Sequence, residues 1–174
     1  MQPLKKIIGS FKWRSMLSYL LIFMVAGFLG NVWMTRSQTE GEAPEIIAQS
    51  LTGAQFQEDF TQLKSPALVY FFADWCPICK VQHPVISAIY KDYAVIGVAM
   101  QSGSLANVRQ YVADREMPFP VVNDETGYVS ARYGVNGVPA TFIIDTQGRI
   151  QYSTRGYATE AGLRSRLWLT KSPG

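Results

Sequence analysis

Seven apolar residues, Ala67 to Ala73 (ALVYFFA), run without alternation into Asp74-Trp75-Cys76-Pro77-Ile78-Cys79-Lys80, and a helical pattern leaves on the far side. A strand that is apolar at every position is covered on both faces, which puts it at the centre of a sheet. The same stretch holds the only two cysteines of the 174 residues. A Cys-x-x-Cys between a strand and a helix suits a redox pair better than a structural staple. At the start of a helix, Cys76 meets unpaired backbone N–H groups and the positive end of the macrodipole, and both favour thiolate over thiol. The thiolate is the species that attacks disulfides, so Cys76 is expected as the nucleophile. Cys79, one turn further in, is placed to break a mixed disulfide by attacking Cys76.

The charge balance narrows the partners. The first 34 residues hold four of the sixteen Lys and Arg and none of the thirteen Asp and Glu, leaving twelve against thirteen from Thr35 onward. A near-neutral domain without a basic stripe is not built for nucleic acid. Two cysteines make no disulfide framework, and with one histidine they make no zinc site. No metal and no cofactor are expected.

From Met16 to Met34 stand 19 residues without a charge, close to the ~20 that span a bilayer as a helix. Lys5, Lys6, Lys12 and Arg14 precede them, whereas Arg36 is followed by Glu40, Glu42 and Glu45. The positive-inside bias then puts the N-terminus in the cytoplasm and the rest outside. A cleaved signal peptide is the competing reading, but Val25-Ala26-Gly27 is a poor cleavage site and the apolar run continues past it. The expected organisation is a cytoplasmic basic terminus (1–15), a transmembrane anchor (16–34), a linker (35–45) and one folded domain (46–174).

Within that domain, Ile46 to Leu51 reads as a short strand and Thr52-Gly53 as a turn. Ala54 to Leu63 reads as a helix, from the spacing of Phe56, Phe60 and Leu63. After Cys79, Val81, Val85, Ile86, Ile89, Tyr90 and Tyr93 suit one long helix that Pro84 should kink. Val95 to Met100 reads as a second core strand, and Ser104 as the cap of a helix running to about Glu116. Val121-Val122 is extended, and Asp124 caps a short helix to Tyr133. Ala140 to Asp145 and Ile150 to Thr154 form a hairpin. Thr159 starts a last helix carrying Leu163, Leu167 and Trp168. Helices between core strands, with a hairpin at the end, mean an α/β sandwich with a mixed sheet.

The segments Ala73 to Lys80 (ADWCPICK) and Val138 to Asp145 (VPATFIID) resemble the thioredoxin fold. The membrane-anchored TlpA/ResA/DsbE-like thiol-disulfide oxidoreductases are the most similar branch, and within it the copper-sensitivity suppressor type known as ScsD. The resemblance runs from about Ile46 to Trp168 and includes Pro84, the insert from Gln101 to Phe119 and the segment YGVNGVPATFIID. It implies a three-layer α/β/α sandwich preceded by one transmembrane helix, in the bacterial inner membrane with its C-terminal domain in the periplasm. It also implies that Cys76 is the exposed attacking and Cys79 the shielded resolving cysteine of a redox-active disulfide. Trp75 then packs beside the pair, with Pro77 and Ile78 between the cysteines. Pro139 matches the cis-proline that faces the site, with Val138 pairing its backbone to an extended substrate.

Two positions depart from the pattern. Tyr70 stands where thioredoxin keeps a buried aspartate, and Gln82 where the anchored reductases often carry a glutamate. Gln82 cannot titrate and can only hydrogen-bond. His83 is expected as a polar surface residue. Pro77-Ile78 adds no charge to stabilise the Cys76 thiolate further, so an intermediate to reducing potential is expected. The leading expectation is a reductant of protein disulfides, recharged by a transmembrane thiol reductase. The competing expectations are a dithiol oxidase or isomerase with the same site, a Cu(I)-binding module holding the ion on Cys76 and Cys79, and a non-enzymatic scaffold. Peroxidase chemistry would need an isolated low-pKa cysteine beside an arginine, which the paired cysteines oppose.

Overall fold

Strand β4 (Ala67–Phe72) is buried at all six positions, and its side chains divide by parity between two cores. Leu68, Tyr70 and Phe72 point to one, Val69 and Phe71 to the other, as the two-residue period of a strand requires. The computed structural model describes residues 17–25 and 41–171. Eight strands form one mixed sheet in the order β1-β8-β7-β4-β5-β6-β2-β3. These are β1 (Gly41–Glu42), β2 (Ile46–Ser50), β3 (Gln55–Glu58), β4, β5 (Ala94–Met100), β6 (Val121–Asp124), β7 (Ala140–Ile144) and β8 (Arg149–Arg155). β4, β5 and β6 run parallel, and β7 lies antiparallel on the other side of β4.

Residues 17–25 are helical (α1) and exposed. The domain's own helices are α2 (Pro77–Tyr90), α3 (Leu105–Asp114), α4 (Tyr128–Arg132) and α5 (Glu160–Lys171). Ile86 and Ile89 of α2, Val108 of α3, and Leu163 and Leu167 of α5 pack on the Leu68/Tyr70/Phe72 face. Val129 of α4 and Phe60, in a 3-10 turn (Phe60–Gln62), cover the opposite face with Phe71 and Phe142. The sandwich therefore has three layers.

Most of the elements read from the pattern are present. α2 runs unbroken through Pro84. Ser104 caps α3 by accepting the Asn107 N–H, and Thr159 Oγ1 accepts the Gly162 N–H at the start of α5. Asp124 ends β6 instead of sitting at the cap position, which is Gly127, yet its carboxylate accepts the Val129 and Ser130 N–H groups of α4.

Two expectations are corrected. Ala54 to Leu63 is not a helix: Gln55–Glu58 pairs antiparallel with β2, Ala48 opposite Phe56, and the 3-10 turn follows. Phe56 and Phe60 fit a four-residue helical spacing, but Phe56 also alternates with exposed Gln55 and Gln57, and sheet pairing decides between the two periods. Trp168 does not face the core; it is 63% exposed while its neighbour Leu167 is buried. Strand β1 falls within the segment read as linker and pairs with β8. The span expected over 16–34 lies largely outside the described residues, and no helix among the described residues is long and apolar enough to cross a membrane.

Candidate active site

β4 ends the sheet side of the site, and Ala73 accepts the Cys76 N–H at 3.3 Å to close the turn into α2. Ser102 Oγ accepts the Asp74 N–H, and Asp74 Oδ1 accepts the Trp75 N–H at 2.8 Å. Cys76 then occupies the N-cap of α2, with Pro77 at the first helical position. That position suits proline, since its missing N–H would have no helical partner there. Cys76 Sγ accepts the Cys79 N–H at 3.1 Å, so the sulfur does the work usually done by a Ser or Asp oxygen.

Cys76 and Cys79 are joined as a disulfide with a Cα–Cα distance of 5.3 Å. Cys79 is fully buried and Cys76 is buried as well, 3% exposed, where the resemblance implied an exposed attacking sulfur. The Val138–Pro139 bond is cis, and the Val138 carbonyl oxygen is 3.6 Å from Cys76 Sγ. Pro139 is buried and Val138 half-buried. Trp75 is anchored by its ring Nε1–H, which donates to the Gln101 carbonyl oxygen at 3.2 Å, while the ring itself is 60% exposed. Pro77 and Ile78 are exposed beside it. The structure thus brings together all seven residues expected at the site.

His83 corrects the sequence reading, because it is buried and not on the surface. It lies four residues past Cys79 and hence on the same face of α2. Its Nδ1 is 3.2 Å from the Tyr70 hydroxyl and its Nε2 is 3.0 Å from the Tyr111 hydroxyl of α3. Tyr70 in turn reaches the Cys79 carbonyl oxygen at 3.4 Å. One proton arrangement serves every partner: Tyr111 donates to Nε2, Nδ1–H donates to Tyr70, and Tyr70 donates to Cys79. Burial, and then the Arg115 charge behind it, hold His83 down to about 4. Burial pushes the Tyr70 and Tyr111 hydroxyls up. The Tyr111–His83–Tyr70 relay is therefore uncharged at neutral pH.

Gln82 is fully buried and clasps one backbone unit, donating from Nε2 to the Ala158 carbonyl at 2.9 Å and accepting the Ala158 N–H at 2.8 Å. The contacts of Gln82, His83 and Tyr111 come from segments distant in sequence, and no local pattern marked them.

A dithiol at a helix N-terminus, facing a cis-proline across the end of a mixed sheet, defines a thioredoxin-like thiol-disulfide oxidoreductase. The chain belongs to the AhpC/TSA family, whose model matches residues 39–153. It is 30% identical over 156 residues to a thioredoxin-like protein of Haemophilus influenzae, covering 89% of this chain and 92% of the relative. It is 27% identical to the thiol-disulfide oxidoreductase ResA of Bacillus thuringiensis, over 72% of this chain and 75% of that one. Among solved structures, a secreted Mycobacterium tuberculosis disulfide oxidoreductase homologous to E. coli DsbE superposes with a TM-score of 0.62 at 25% identity, covering 71% of this chain and 95% of that chain. The protein is a thiol-disulfide oxidoreductase of the DsbE/ResA type.

Proposed function

We propose that the chain is tethered by its N-terminal apolar segment to the bacterial inner membrane and reduces protein disulfides on the periplasmic side, with a transmembrane thiol reductase as its electron donor. The observation that carries this reading is Cys76 Sγ at the N-cap of α2, accepting the Cys79 N–H beside the Val138–Pro139 segment. That N–H and the helix dipole favour charge on Cys76 in the reduced state.

The Cys76 thiolate attacks one sulfur of the substrate disulfide; the other sulfur leaves as a thiolate and takes a proton from water. The Cys79 thiol then gives up its proton to the hydroxide left by that transfer and attacks Cys76 Sγ, which releases the second substrate thiolate. The substrate has gained two electrons and the Cys76–Cys79 disulfide remains. A donor dithiol restores the Cys76 thiolate and Cys79 thiol with two electrons and one proton.

Trapping tests the roles of the two cysteines. In the reduced protein, Cys79→Ser is expected to accumulate a mixed disulfide through Cys76, and Cys76→Ser to accumulate none. Accumulation through Cys79 instead would reverse the assignment. The tether rests on the 19 uncharged residues and the flanking charge asymmetry. The full chain is expected to stay with membranes through alkaline carbonate washing; full release at that step would contradict the anchor.

A further inference from the structure

Tyr157 lies outside every motif read from the sequence, yet both of its neighbours are bolted to the active site. On one side Gly156, at φ +83°, donates its N–H to the Pro139 carbonyl oxygen at 2.7 Å. A side chain at that φ would be strained, so glycine suits the turn that brings this N–H to the cis-proline segment. On the other side, Ala158 is buried and exchanges both backbone hydrogen bonds with Gln82, three residues past Cys79 on α2. The loop is thereby tied to the segment that faces Cys76 and to the helix that carries both cysteines. Between the two ties, Tyr157 stands 50% exposed.

An aromatic ring presented to water from a fixed backbone loses little freedom when a partner covers it, which is why such rings serve as anchors in recognition. Three of the four exposed side chains adjacent in sequence to the cysteines (Trp75, Pro77 and Ile78) are also apolar, and the fourth is Lys80. The rim of the site therefore rewards burial of apolar surface.

We propose that Tyr157 is a specificity-determining residue, receiving an apolar side chain next to the disulfide of the bound polypeptide, and that Gln82 is the positioning residue that fixes its loop. The proposal rests on the reading of Cys76 as the attacking cysteine. Gln82 acts at a distance from the sulfur chemistry, through the Ala158 backbone.

The test uses the reduced full chain and two synthetic peptide disulfides that differ only in the residue beside the cysteine, Leu or Ser. The wild type is expected to react about tenfold faster with the Leu peptide, the scale of one well-buried anchor contact. Tyr157→Phe should keep that ratio and Tyr157→Ala should remove it. Gln82→Met, which keeps the volume and loses both hydrogen bonds, should also lower it. The ratio does not depend on the fraction of protein that is folded, so loss of stability alone leaves it unmoved. An unchanged ratio in Tyr157→Ala overturns the proposal, and so does a wild type that reacts equally with both peptides; neither result touches the redox reading. A wild type that reacts with no peptide disulfide removes the redox reading and this proposal with it.

Discussion

His83 is buried between two tyrosine hydroxyls, and burial disfavours the charged form of its ring. Burial first, then Arg115, lower it to about 4, against about 6.5 in an unfolded chain. Below about pH 6.5 the unfolded state therefore binds a proton that the folded state does not, and stability falls as pH falls towards 4. Screening through the half-exposed Tyr111 side reduces the effect to about 1–2 kcal/mol. Urea midpoints measured from pH 7 to pH 4.5 should decline in the wild type and decline less steeply in His83→Phe, although that variant is less stable overall. Equal slopes would show that His83 is not held neutral. The cysteine pair and the cis-proline were legible because each sits inside a local signature. The burial of His83 was not, because α3 and β4 create it from segments 28 and 13 residues away.

Among elements, the central strand and the helix after it were legible because the one is apolar at every position and the other carries a long apolar stripe. Six buried positions in β4 and the apolar face of α2 leave little room for another reading. The segment from Ala54 to Leu63 was misread because Phe56 fits a helical spacing with Phe60 and Leu63 and also alternates with Gln55 and Gln57, and its pairing with β2 is a tertiary fact. Gln82 shows the same limit from the polar side. Its position on α2 was read as a lost carboxylate, whereas its side chain holds the entry to α5 by two buried hydrogen bonds. Gln82→Met leaves the Ala158 N–H and C=O without those partners, and the expected cost is about 3 kcal/mol. The urea midpoint should fall with the m-value unchanged. A change below about 0.5 kcal/mol would mean that the clasp carries no stability.

At the scale of the whole molecule, the fold places a dithiol on a domain that the N-terminal segment is proposed to hold at a membrane. The direction of electron flow then depends on how strongly the reduced pair is favoured. A pair whose reduced form is highly stabilised acts as an oxidant. Here the charge on Cys76 is met by the Cys79 N–H and the start of α2, while Pro77 and Ile78 between the cysteines carry no charge. The groups stacked behind Cys79, namely Tyr70, His83 and Tyr111, are neutral as well. Among these groups the helix terminus is what favours the thiolate, which places the pair on the reducing side. Equilibrating Cys76–Cys79 of the full chain in detergent against glutathione measures this directly. A potential more negative than about −220 mV, below the glutathione couple, is expected; a value near the about −120 mV of a strong disulfide oxidant would overturn the reductant reading and make the protein a dithiol oxidase.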